Sequence, residues 1–141
     1  MLLLAVGVIL LLVSGAALAA TIEGTSGNDI LRGGDGPDTI RGRGGADTIY
    51  GGYGKDRIYG NSGNDRLFGG PSPDRLFGGR GRDSVDADQG NDYVNVVDGR
   101  LDSVSCGLGA DDTAIVDNAD LAGQSFEDFV RLSSCENVIV R

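Results

Sequence analysis

Eight aspartates recur at nine-residue intervals through the middle of this chain: Asp29, Asp38, Asp47, Asp56, Asp65, Asp74, Asp83 and Asp92. Two positions after each stands an aliphatic residue: Leu31, Ile40, Ile49, Ile58, Leu67, Leu76, Val85 and Val94. Two positions before each stands glycine, except at Ser72. Three residue classes held in one register over eight periods mark a solenoid, in which one short supersecondary unit is wound repeatedly. The carboxylates then fall at equivalent points of successive units. A row of oxygen ligands at such spacing suits hard cations.

With the aspartate placed sixth, the units begin at Gly24 and run through Asn95. Positions one and four are glycine with few exceptions, and position two is mostly Gly, Asn or Asp. Those residues tolerate positive φ, so the first six residues of a unit read as a tight loop. The last three, such as Thr39-Ile40-Arg41, read as a short strand whose middle residue points inward.

This pattern resembles the nonapeptide GGxGxDxUx of the RTX, or hemolysin-type, calcium-binding repeats, where U is a large aliphatic. The resemblance covers Gly24 to about Asn95. It implies an all-β fold, a right-handed parallel β-roll or β-solenoid. Two units there make one turn, and strands alternate between two facing sheets. Units 18 residues apart then stack, so one column holds Asp29, Asp47, Asp65 and Asp83 and the other Asp38, Asp56, Asp74 and Asp92. The resemblance also implies calcium between stacked loops, held by oxygens of these eight aspartates and by backbone carbonyls. Three gaps per column allow up to about six calcium ions. The plainer alternative is a solenoid whose turn aspartates are simply solvated. Two units are imperfect: Pro71-Ser72-Pro73 lacks the fourth glycine, and Ala87-Asp88 replaces Gly-Gly. Sites touching Asp74 or Asp92 are expected to be weaker.

Composition limits the function. The chain of 141 residues carries 18 Asp against 3 Glu and has a formal charge of −9. That charge disfavours nucleic acid, whose binding needs cations to displace counterions. One aliphatic side chain per nine residues makes a thin core, and the aspartate columns repel one another. A repeat region that is disordered or loose without calcium, and folded with it, is therefore expected.

Residues 1–20 contain no charged side chain and end in Ala17-Leu18-Ala19, a small-x-small cleavage pattern. A secretory signal peptide fits, and so does an uncleaved membrane anchor of about 20 residues. The chain thus divides into a leader or anchor (1–20), a β-roll (21–97) and a degenerate repeat with a C-terminal cap (98–141). In an exported chain Cys106 and Cys135 are expected to form a disulfide that ties the cap to the roll; two free buried thiols are the alternative. Residues 125–132 read as one short helix, and Cys135 to Val140 as a closing strand.

Tyr50, Tyr59, Phe68 and Phe77 occupy the ninth position of successive units. They form outward stacks that stiffen the sheets, or a platform for a cell-surface glycan or partner protein. Histidine is absent, and no nucleophile and base pair up, so no enzyme activity is expected. The reading is a secreted, non-catalytic calcium-binding repeat protein. The alternative is an adhesive or polysaccharide-binding module.

Overall fold

The computed structural model describes residues 18–117 and 132–141. Most of the expected leader (1–20) and all but the last residue of the expected helix (125–132) lie outside them. Thirteen strands follow one another: β1 (Thr21–Glu23), β2 (Ile30–Asp35), β3 (Thr39–Gly44), β4 (Thr48–Tyr53), β5 (Arg57–Ser62), β6 (Arg66–Pro71), β7 (Arg75–Arg80), β8 (Ser84–Gln89), β9 (Tyr93–Asn95), β10 (Ser103–Ser105), β11 (Thr113–Val116), β12 (Leu132–Ser133) and β13 (Asn137–Val140). The odd-numbered strands form one sheet in the order β1-β3-β5-β7-β9-β11-β13, and the even-numbered strands form the other. Neighbours pair in parallel, with Ile22 beside Ile40 and Leu31 beside Ile49, one coil of two units apart. The chain is an all-β parallel solenoid, as its nine-residue period requires.

Most strands are longer than the three residues expected. Six-residue strands such as β3 run past Thr39-Ile40-Arg41 into the next unit. Position-one glycines continue the ladder: Gly24 N–H donates to the Arg41 carbonyl at 2.8 Å. The loop proper shrinks to about positions four to six. Position two still bends into the left-handed region, even where it is not glycine: Arg43 has φ 77° and Asn61 φ 74°. The Arg43 guanidinium is anchored by Glu23 at 3.0 Å.

The core is a single file of inward aliphatics. Ile40, Ile49, Ile58, Leu67, Leu76 and Val94 are fully buried, and Ile22 and Leu31 pack partly buried at the N-terminal end. Toward the C-terminus this core widens. Position-one glycine is replaced by Ala87, then by Val96, Cys106 and Val116, and all four are buried. These residues add a second apolar file exactly where the nonapeptide period breaks down.

The two sheets do not stop with the perfect repeats. Val104 pairs beside Val85 and Ala114 beside Val94, so these coils are one and two residues longer than the rest. Cys106 and Cys135 form a disulfide with Cα atoms 5.1 Å apart. The expected closing strand is β13, which pairs on β11 with Ala114 beside Val138.

Outward side chains stack along the sheets. Tyr50 lies on Phe68 with ring centroids 4.9 Å apart, and Tyr59 on Phe77 at 4.8 Å, both nearly parallel. Arg32 and Arg41 cover the free faces of Tyr50 and Tyr59.

Candidate metal centre

Each repeat aspartate sits at the junction where a three-residue loop enters a strand. There the backbone ladder continues, for example from Arg57 N–H to the Asp38 carbonyl at 2.8 Å. The aspartate N–H, however, has no strand partner. The carboxylate of the next coil supplies one. Asp29 N–H donates to Asp47 Oδ1, Asp47 to Asp65 and Asp65 to Asp83, at 2.8 to 2.9 Å. On the opposite edge Asp38 donates to Asp56, Asp56 to Asp74 and Asp74 to Asp92, at 2.7 to 2.8 Å. The eight expected side chains thus stand in the two expected columns, linked coil to coil.

Two columns are longer than the sequence pattern suggested. Asp83 N–H donates to Asp102 Oδ1 at 2.7 Å, and Asp92 N–H to Asp112 Oδ1 at 2.8 Å. Asp112 N–H then donates to Glu136 Oε2 at 2.9 Å. Cys106-Gly107-Leu108-Gly109-Ala110-Asp111 has the form of half a repeat, but the column is continued by the next residue, Asp112. The signal was present: Asp102, Asp112 and Glu136 each stand two residues before an apolar residue, Val104, Ala114 and Val138.

One carboxylate oxygen is thereby satisfied and the other is not. Oδ2 of Asp38, Asp47, Asp56, Asp65, Asp74, Asp83, Asp92 and Asp112 is buried with no hydrogen-bond partner among the described residues. Its surroundings are acceptors. A Cβ built on Gly33 would lie within 3.0 Å of both Asp38 Oδ2 and the Gly51 carbonyl of the next coil. The same pair of oxygens, from the unit's own aspartate and the stacked coil's first residue, converges on Gly24, Gly42, Gly51, Gly60 and Gly69. This explains the glycine at position one: a side chain would fill the space between the oxygens. Buried anionic oxygen facing carbonyl oxygen, with no donor between them, is costly unless a cation intervenes. The donor set is all oxygen and fits a hard ion such as calcium, not zinc or copper. Among the described residues no three carboxylates cluster to hold a metal by side chains alone. A bound ion would therefore draw on backbone carbonyls as well.

Electrostatics point the same way. Burial pushes the carboxyls of Asp47, Asp56 and Asp65 above the ordinary carboxylate range, and the stacked neighbour's charge adds to it. Asp74, beside Asp56 and Asp92, is pushed up to about 8. Asp83 and Asp92 rise to about 6, again chiefly through desolvation. The metal-free coil therefore holds protons that the unfolded chain releases near pH 4. Between about pH 4 and about pH 6, and up to about 8 for Asp74, stability of the metal-free form falls as pH rises. In calcium-stripped buffer, lowering the pH from 8 to 5 is expected to increase the β-sheet circular dichroism signal. With calcium present the same change is expected to weaken ion binding, because protons compete for the same oxygens. A metal-free signal that falls on acidification would contradict this sign.

No curated protein and no solved structure matches this chain. A family model described as the RTX calcium-binding nonapeptide repeat (4 copies) does match, over residues 23–58, 42–71 and 68–99. Those segments together span more than half of the 141 residues, and the glycine–aspartate–aliphatic register that they score is the one that builds the two carboxylate columns. The chain belongs to the RTX calcium-binding nonapeptide repeat family and is a calcium-binding repeat protein.

Proposed function

We propose that this protein is a secreted, non-catalytic module that winds into its solenoid when calcium enters the two aspartate columns. Asp29, Asp38, Asp47, Asp56, Asp65, Asp74, Asp83 and Asp92 supply the carboxylate oxygens, and carbonyls of stacked loops complete each shell. Bound calcium supplies the positive charge that lets the carboxylates of adjacent coils lie buried together. The observation that carries this reading is the row of buried, unpartnered Oδ2 atoms facing carbonyl oxygens.

Removal of residues 1–20 on export, and a β-roll over 21–97 followed by a cap, complete the proposal. The disulfide supports an oxidising compartment, where calcium is about millimolar and matches module affinities of roughly 10⁻⁴–10⁻³ M. The chain contains no histidine, and the buried carboxylates serve the ladder, which supports a non-catalytic role. A polysaccharide-binding role is not favoured. Tyr50 and Tyr59 each have one face on a phenylalanine and the other under an arginine, and Phe77 also meets Tyr93, so little ring face is left for a sugar.

Isothermal titration of calcium into the calcium-stripped mature chain tests the proposal. Binding of about six ions per chain, with midpoints near the extracellular calcium level, is expected. Uptake of one ion or none would refute it.

A further inference from the structure

Three arginines of the first coils have an acidic or aromatic partner. Arg41 and Arg43 pair with Glu23, and Arg32 stacks on Tyr50. Arg80, Arg82 and Arg100 differ. They line one cleft of about 720 Å³ with Asn64, Gly81 and Asp98. Among the described residues none of the three guanidinium groups forms an ion pair. The cleft lies on one edge of the solenoid, across three successive coils: Asn64 follows β5, Arg80 ends β7 and Arg82 follows it, and Asp98 and Arg100 follow β9.

This concentration of positive charge is local. At the loop positions of Arg80 and Arg82, earlier coils on the same edge carry Ser26 and Asn28, Gly44 and Ala46, and Ser62 and Asn64. All are neutral. Arg100 stands 18 residues after Arg82, one ordinary coil, so the solenoid period itself brings it to the same edge.

The other cleft residues are held by the backbone. Asp98 Oδ2 accepts from Gly81 N–H at 2.8 Å, and Asp98 Oδ1 accepts from Arg100 N–H at 2.7 Å. Both carboxylate oxygens are thus engaged, and the bonds pin the Arg100 loop beside the Arg80–Arg82 loop. Asn64 Oδ1 accepts from Arg82 N–H at 2.9 Å, so its remaining side-chain capacity is the Nδ2 donor pair. The cleft therefore offers three guanidinium forks and an amide donor, against one acidic group already committed. Guanidinium forks match tetrahedral oxyanions in two-point geometry. The volume exceeds that of a bare inorganic ion.

We propose that the Arg80–Arg82–Arg100 cleft binds a tetrahedral oxyanion ester, a phosphate or sulfate carried on an organic group. The three guanidinium groups hold the anion, and the Asn64 amide donates to it or to its carrier. The cleft is lined by side chains of the loops that precede Asp65 and Asp83 and does not include the buried carboxylates themselves.

The test titrates the full chain, in buffer with calcium at about millimolar, with glucose 6-phosphate, glucose 6-sulfate and glucose. Saturable one-to-one binding of at least one ester, and none of glucose, is expected. The tighter ester identifies the source of the anion. Arg80→Gln, Arg82→Gln and Arg100→Gln are each expected to weaken binding about ten-fold, and the triple variant to abolish it. Arg57→Gln, on the outer sheet face, is expected to leave it unchanged. Calcium-induced circular dichroism should be the same in all variants, which keeps this outcome distinct from that of the calcium sites. Absence of saturable binding by both esters, retention in the triple variant, or equal weakening by Arg57→Gln would overturn the proposal.

Discussion

Stripping calcium from the protein is expected to unwind its repeat region. In excess chelator the β-sheet circular dichroism signal should collapse, and it should return steeply as calcium is restored to about millimolar. The argument is one of magnitudes. An ion present at ten times its Kd contributes about 1.4 kcal/mol per site, so about six sites contribute about 8 kcal/mol. That is the whole net stability of an ordinary domain. Without it the coils must bury unpartnered carboxylate oxygens on a core one aliphatic residue wide. Because each coil contacts its neighbours through the same ladder, sites should fill cooperatively. Magnesium should not substitute, since it demands a tighter octahedral shell and dehydrates reluctantly. A full β spectrum in chelator at neutral pH would remove the basis for metal-driven folding.

The double change Asp56→Asn with Asp74→Asn should separate structural from ionic roles in opposite directions. Asp56 Oδ1 accepts from Asp38 N–H, while its Oδ2 lies beside Gly51 and faces the Gly69 carbonyl. An amide keeps the acceptor and replaces the orphaned oxygen with a donor that can reach that carbonyl. The calcium-free form should therefore become more stable and lose part of its pH dependence, since Asp74 is among the most strongly raised groups. Calcium response should suffer: the midpoint of calcium-induced folding should rise about ten-fold or more, because two proposed carboxylate ligands of one column are gone. Asp56→Ala with Asp74→Ala removes the acceptor too and should destabilise both forms, by about 1–3 kcal/mol for each N–H left unpaired. Titrations followed by circular dichroism distinguish these cases. Equal calcium midpoints in the asparagine variant and the parent would exclude Asp56 and Asp74 as ligands.

Much of this architecture was legible in the sequence because the period is short and three residue classes obey it. Spacing of Asp29 from Asp47 and of Tyr50 from Phe68 sufficed to place both columns and both aromatic stacks. Legibility failed where spacing drifted. Asp102, Asp112 and Glu136 continue the columns at separations of 19, 20 and 24 residues. Asp102, with Val104 two residues on, still shows the pattern shifted by one residue, but a fixed-period reading passes over Asp112 and Glu136. The strands were read as too short, because glycine is a poor strand former in general. Here it extends the ladder, since Gly33 and Gly51 need the absence of a side chain more than they suffer from its loss. The arginine cleft was legible only in part: Arg82 and Arg100 are one 18-residue coil apart, but spacing does not show that they and Arg80 line one cleft.

The replacement of inward glycine by Ala87, Val96, Cys106 and Val116 has a mechanical corollary. Cohesion is graded along the axis. The last coils gain extra hydrocarbon and a covalent crosslink, while the first coils rest on one aliphatic side chain per unit. The molecule resembles a rope spliced at one end: in chelator it is expected to fray from the amino-terminal side while the splice holds.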